Sequence, residues 1–260
     1  MMRPSTGLAT LVLTVGLAWS SAAYAQQATA AAAIDRFLVL NATDQLQSAE
    51  GRDLRTGEAS EWNVPATGPL PDRHDRLVAI GEGHAVARVL ARPPEGDPID
   101  LYFYLEEAEQ GWRVSAMRTL ALPPFVYMMI DQLEAQTSRS PDEDRILENV
   151  RLVTLTDAAL RHWFDENRQA IDSLVEAYER LPSGSGAVRD DGATPGISAA
   201  LAALHLTQIS AAEGGIVLVI GGVLDNSVGL MRTASPPPMS PSEYIWVEPL
   251  ADGWFLFRTT

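Results

Sequence analysis

Tyr102 to Trp112 reads "YFYLEEAEQGW", and Tyr244 to Trp254 reads "YIWVEPLADGW". The two stretches align without a gap at an offset of 142 residues. Each runs through aromatic and aliphatic residues, turns at a glycine and resumes with tryptophan. Aromatic and β-branched residues suit a half-buried strand. A glycine in the connecting loop supplies the left-handed backbone that a tight hairpin needs. Each stretch is therefore expected to form a hairpin whose Trp starts the return strand and packs over the sheet.

The flanks extend the pattern. Ile80-Gly81 and Ile220-Gly221 precede the two hairpins at nearly the same distance. Arg76 to Ala91 reads as two strands broken at Glu82-Gly83, and Ile99 to Leu122 as two more around a loop at Glu107 to Gly111. Gly214 to Ala234 reads as two strands joined near Asp225-Asn226, followed by the Pro-rich "SPPPMSPSE" and the second hairpin. Helical stretches precede each series. Ala30 to Ala59 reads as two helical pieces, and Asn63 to Asp75 as a Pro/Gly loop. Phe125 to Gln136 is a helix. Ser140 is the N-cap of the next, with Pro141 in its first turn and acids near the positive end of its dipole. Thr156 to Leu181 is a long amphipathic helix with a stripe of Leu160, Phe164, Ile171, Leu174, Val175 and Tyr178. Pro182 to Gly196 has the composition of a flexible linker, and Ile197 to Ile209 reads as a short helix. The fold class is α+β, built as two helix-then-antiparallel-meander halves. The expected parts are a leader (1–25), an N-terminal domain (26–122), a helical connector with linker (123–196) and a C-terminal domain (197–260).

The leader sets the expected compartment. Arg3 is followed by the apolar run Gly7 to Trp19 and by "AYA" at Ala23 to Ala25, the layout of a secretory signal peptide cleaved near Ala25. A periplasmic or secreted protein without a membrane anchor is expected, because no later run is long and apolar enough to span a bilayer. The net charge is −15, which argues against nucleic acid and against anionic membrane surfaces. There is no Cys, so disulfides, thiol nucleophiles and Cys-based zinc sites are excluded. There is no Lys either, which removes a Walker-type phosphate loop and a pyridoxal Schiff base. Arg does not replace Lys there, since it stays protonated and forms no imine. No cofactor and no metal are expected. His74, His84, His162 and His205 are scattered, without the spacing of a zinc motif.

With its aromatic strand, Gly-Trp turn and return strand, "DLYFYLEEAEQGWRVSAMRTLAL" resembles the cystatin-like and NTF2-like α+β folds, over roughly residues 30 to 122. The ending "SPSEYIWVEPLADGWFLFRTT" resembles that of a group of uncharacterised exported bacterial proteins. The first resemblance implies a curved sheet under a helix and a superfamily of isomerases, dehydratases and non-catalytic binding modules. The second implies export and supplies no activity to expect.

If Glu106 faces Trp112, then Tyr104 faces Val114, Tyr102 faces Ala116 and Asp100 faces Arg118. Asp100, Tyr102, Tyr104, Trp112 and Arg118 would then share one surface. Such a surface suits a small-molecule pocket, or else is an edge ion pair beside an aromatic core. Asp225 and Asn226 would offer side-chain oxygens to a ligand, or would simply make a turn. The expected function is an exported, non-catalytic binding protein whose sheet faces hold a small apolar ligand or an envelope protein. The alternative is a cofactor-free NTF2-like lyase or isomerase, with His84 and Asp100 as acid and base and Arg118 stabilising negative charge. A third reading docks a partner on the Pro-rich loops Arg92 to Pro98 and Ser235 to Pro241.

Overall fold

The computed structural model describes residues 27–62, 77–81, 83–92, 96–182, 186–189, 194–212, 214–223 and 225–260. The leader expected over 1–25 and the loop expected over 63–75 lie outside these residues. The chain is α+β, and every strand pairing in its two sheets is antiparallel. It divides into two compact units, Met1–Arg118 and Thr119–Thr260.

In the first unit, helix α1 (27–42) leads into α2 (Ala49–Asp53) and a 3-10 turn (Gly57–Glu61). Strands β1 (Leu77–Gly81), β2 (His84–Ala91), β3 (Ile99–Ala108) and β4 (Gly111–Arg118) follow in the spatial order β1-β2-β3-β4. Ala30, Ile34, Phe37 and Leu38 recur at helical spacing, so α1 buries one stripe. Their core partners are Ala85, Ala87 and Val89 of β2, Phe103 and Leu105 of β3, and Trp112 and Val114 of β4. The outer edge of β4 does not end in water. Thr56 donates to the Val114 carbonyl at 2.9 Å, and Val114 donates to the Leu54 carbonyl at 2.8 Å. This cover satisfies ladder groups that an edge strand leaves open. Arg55 locks the covering segment from inside. Its buried guanidinium donates to the carbonyls of Leu46 at 2.7 Å, Trp62 at 2.8 Å and Gly51 at 3.0 Å. Burial, and secondarily the charge of Arg52, lowers its pKa.

In the second unit, α3 (Pro124–Glu134), α4 (Pro141–Thr154) and α5 (Asp157–Glu179) precede β5 (Val188–Arg189) and α6 (Pro195–Ala203). Then come β6 (Gln208–Ala212), β7 (Gly215–Val223), β8 (Asn226–Thr233), β9 (Tyr244–Pro249) and β10 (Trp254–Thr259). Ser140 caps α4 through a complete capping box with Glu143, as its sequence dictates. All six apolar stripe residues of α5 are buried, and they share one core with Leu201, Leu218, Leu230, Trp254 and Leu256. The segment expected as a connector, 123–196, therefore supplies the helical layer of this unit's own core. Within the expected linker, Val188 is buried and pairs with Ile209. The expected helix 197–209 stops at Ala203, and Gln208–Ala212 is strand β6 instead. Leu204, Leu206 and Ile209 are all buried, so the apolar pattern runs on past the true helix end into the turn and the strand.

The second sheet has the order β5-β6-β7-β8-β10-β9. This corrects the expectation of an antiparallel meander in the second half. After the Pro-rich connection, β9 goes to the sheet edge and β10 inserts between it and β8. In the first unit the corresponding hairpin continues the meander in sequence order.

Candidate functional site

The candidate site grows from the β3–β4 hairpin. Its loop is two residues, Glu109 and Gln110, closed by the pair Ala108 and Gly111. Gly111 has φ 114°, a conformation that L side chains rarely adopt. Glu107 lies opposite Trp112 and Leu105 opposite Val114. Ser115 is then an extra residue on β4, so that Tyr104 lies opposite Ala116 and Tyr102 opposite Arg118.

This register corrects the expected one. Trp112 is not on the surface with Asp100, Tyr102, Tyr104 and Arg118. It lies on the opposite face, against α1, and its indole N–H donates to Thr29 at 3.2 Å. The turn is one residue tighter than assumed, which moves Trp112 across the sheet. The bulge then restores Arg118 to the face that holds the two tyrosines.

Asp100, Tyr102, Tyr104 and Arg118 do share a face, and β2 adds Val86 and Arg88. Tyr102 stands between Arg88 on one side and Arg118 on the other. Asp100 does not face Arg118. Its opposite neighbour is Leu90, and its charge partner is Arg88 at 3.9 Å. Both side chains of that pair are buried. Arg118 is held by Glu58 from the 3-10 turn, with two bonds of 2.9 and 2.7 Å. The Glu58 hydrogen bond raises the Arg118 pKa, and the same bond holds the Glu58 carboxyl below its usual range. Burial raises the Tyr104 phenol, with the Arg118 charge pulling the other way. Tyr104 therefore stays a protonated donor at neutral pH.

The acid–base set of the enzyme reading is not assembled. His84 is exposed at the start of β2, opposite Glu106. Asp100 lies six residues further along β3, about 20 Å away at strand spacing. Each guanidinium on the face already has a protein carboxylate beside it. The face is a charge-compensated wall, and its chemistry is that of donors and acceptors.

The Asp225–Asn226 knot is a hairpin turn. Val223 pairs with Asn226, leaving a two-residue loop, and the Asp225 carbonyl accepts from the Thr259 hydroxyl at 2.6 Å. Asp225 is exposed, and Asn226 Oδ1 is buried without a hydrogen-bond partner among the described residues. No group of three or more metal-ligating side chains occurs among the described residues. No helix among them is long and apolar enough to cross a membrane.

Two features escaped the sequence reading. The first is a buried charged network in the second unit. Asp157, fully buried at the start of α5, accepts from Arg258 of β10 at 2.7 Å. One turn on, Arg161 pairs with the buried Glu248 of β9, which also accepts from the Trp246 indole at 3.1 Å. Asp157 and Arg161 at i and i+4 on an amphipathic helix were the available signal. The second is the surface of α3. Its sequence, "PFVYMMIDQLE", is apolar nearly all round, yet only Val126 and Leu133 are buried. Phe125 is 56% exposed, Tyr127 47% and Met128 68%; Ile146 of the adjoining α4 is 43% exposed.

Comparison with family models, curated proteins and solved structures finds no match to this chain.

Proposed function

We propose that this chain is an exported, non-catalytic binding protein, and that its partner is another protein of the cell envelope, engaged through α3. The exposure of α3 carries this reading. A helix that is apolar all round is normally buried. Here Phe125 and Met128, one turn apart, keep more than half of their surface in water. Clustered aromatic residues and methionine are characteristic of interface cores. The charged side chains of α3 are Asp131 and Glu134, both in its second half. A protein surface with an apolar centre is the chemistry that fits. The tyrosine–arginine face of the first sheet supports the non-catalytic part, since Arg118 is committed to Glu58 and His84 stands apart from Asp100.

The test is photo-crosslinking in the cells of origin, with a benzophenone side chain at position 128 and a control at Glu176, an exposed position of α5. A discrete protein-sized adduct is expected at 128 only, and Phe125→Asp should suppress it. Absence of an adduct, or equal adducts at both positions, would sink the reading.

A further inference from the structure

The outward face of α3 changes character along its length. At about 3.6 residues per turn, Met128 and Asp131 point away from the buried Val126 and Leu133. Phe125, Tyr127 and Met128 make the first half of that face apolar, and no charged residue stands in the first turn. Asp131, Gln132 and Glu134 make the second half polar, and all three are exposed. An apolar centre with a polar rim is the anatomy of a protein interface.

The two acids of that face stand at the wrong end of the helix. The C-terminal turn carries the negative end of the helix dipole, which favours cations, and in α3 that turn holds no basic residue. Glu134 is compensated from outside the helix, since Arg151 of α4 donates to it at 2.7 and 3.2 Å. Asp131 has no such neighbour. Its carboxylate makes no hydrogen bond or ion pair among the described residues. Tyr127 and Met128, one turn back, are its neighbours on the helix surface. Helix stability alone would be served better by a neutral or basic residue at this position. An acid kept there, beside an apolar patch, points to a cation that arrives from outside the chain. The net charge of −15 draws a basic partner surface in from a distance.

We propose that α3 docks a protein segment that sets apolar side chains on Phe125 and Met128 and an arginine or lysine against Asp131. The cation falls about 4.5 Å along the helix axis from Met128, at three residues' rise. The apolar contacts lie towards the N-terminal end of α3 and the cation towards its C-terminal end, so the charge pair fixes the direction in which the partner lies. Charge complementarity of this kind sets register and selects among partners. This inference rests on the reading of α3 as the docking face, and it adds the chemistry of what docks there.

The experiment reads the benzophenone adduct at position 128, in the cells of origin, in three backgrounds: the parent, Asp131→Asn and Asp131→Arg. Removing the charge should lower the adduct yield about threefold, and reversing it about tenfold or more. Neither variant should melt below the parent, because the dipole disfavours the native acid at that end, so lost docking is not lost fold. The crosslinked peptide of the partner is then sequenced. It should carry an arginine or lysine close to the crosslinked residue, and changing that cation to Glu should restore the adduct with Asp131→Arg. A yield that is equal in all three backgrounds overturns the inference and leaves α3 standing as a docking face. So does a crosslinked peptide without a cation, or failure of the reversed pair to restore the adduct. An adduct with lipid in place of protein overturns both readings, as does the absence of any adduct in the parent.

Discussion

The β3–β4 and β9–β10 hairpins begin from the same sequence pattern and end in the same contact. Trp112 donates its indole N–H to Thr29 on α1, and Trp254 donates its own to Asp172 on α5, at 3.2 and 3.1 Å. Each Trp lies in the helix-covered core of its unit. The strands that lead into the two turns are nonetheless used in opposite ways. In the first unit, Phe103 and Leu105 face the helix, while Tyr102 and Tyr104 face away. In the second, Trp246 and Glu248 take the helix side, although they align with Tyr104 and Glu106. The cause is loop length. The first hairpin closes with Ala108 opposite Gly111, and the second with Pro249 opposite Phe255. Relative to the shared pattern, that is a shift of one residue. A one-residue shift exchanges the two faces of a strand. Gly-Trp thus fixes where the Trp goes, and the loop fixes which side chains the strand before it buries.

The consequence is visible in charge. Glu106 is exposed, whereas Glu248 is buried between Arg161 and Trp246. The same residue type at the same place in the pattern is a solvated surface acid in one unit and a core ion-pair partner in the other.

Removing Ala251 from the second loop should produce the largest effect, because it attacks the cause itself. A shorter loop would drive β9 towards the register of β3 and turn Trp246 and Glu248 away from α5. The buried network would then lose Glu248 and leave Arg161 without its carboxylate. Loss of the near-UV signal of the tryptophans, with cooperative unfolding of the second unit abolished, is the expected result. A deletion protein that unfolds like the parent would show that loop length does not set the faces. Next in size is the paired substitution of the two acids. Glu248→Ala strands the Trp246 N–H and the partly exposed Arg161, and should cost about 1–3 kcal/mol. Glu106→Ala should fall within about 0.5 kcal/mol of zero. Denaturant unfolding measures both. Equal costs would break the comparison.

How far the sequence could be read follows from the same contrast. Positions that depend on nearby residues were legible: the Ser140 N-cap, the stripe of α5, the positive φ of Gly111 and Gly253, and the turn at Asp225. The α+β class was legible for the same reason. What depended on counting residues across a turn was not. Trp112 changes face through one residue of loop, and Arg118 returns to the expected face only because Ser115 bulges. Partners distant in sequence left no local trace. Glu58 reaches Arg118 from 60 positions upstream, and Asp157 reaches Arg258 across 101. The order β8-β10-β9 was hidden as well, because a Pro-rich connection of this length permits either neighbour.

The Glu58–Arg118 pair gives the smallest and most selective test, since it belongs to the first unit alone. Glu58 is half exposed, and its carboxyl is depressed chiefly by the hydrogen bonds from Arg118. A group whose pKa is lower folded than unfolded stabilises the fold above its unfolded value, near 4.3 for Glu, and loses that contribution as pH falls through the folded value. Solvent screening keeps such a pair to about 1 kcal/mol or less. Glu58→Gln should therefore lower the hydrogen-exchange protection of β4 slightly at neutral pH. The gap from the parent should narrow as pH falls below the ordinary carboxylate range and vanish once the parent Glu58 is protonated. The same substitution should leave β10 protection unchanged at every pH. A gap that stays constant through the acid range would mean that Glu58 holds β4 by packing and not by charge. The tyrosine–arginine face would then lose the ion pair that commits Arg118.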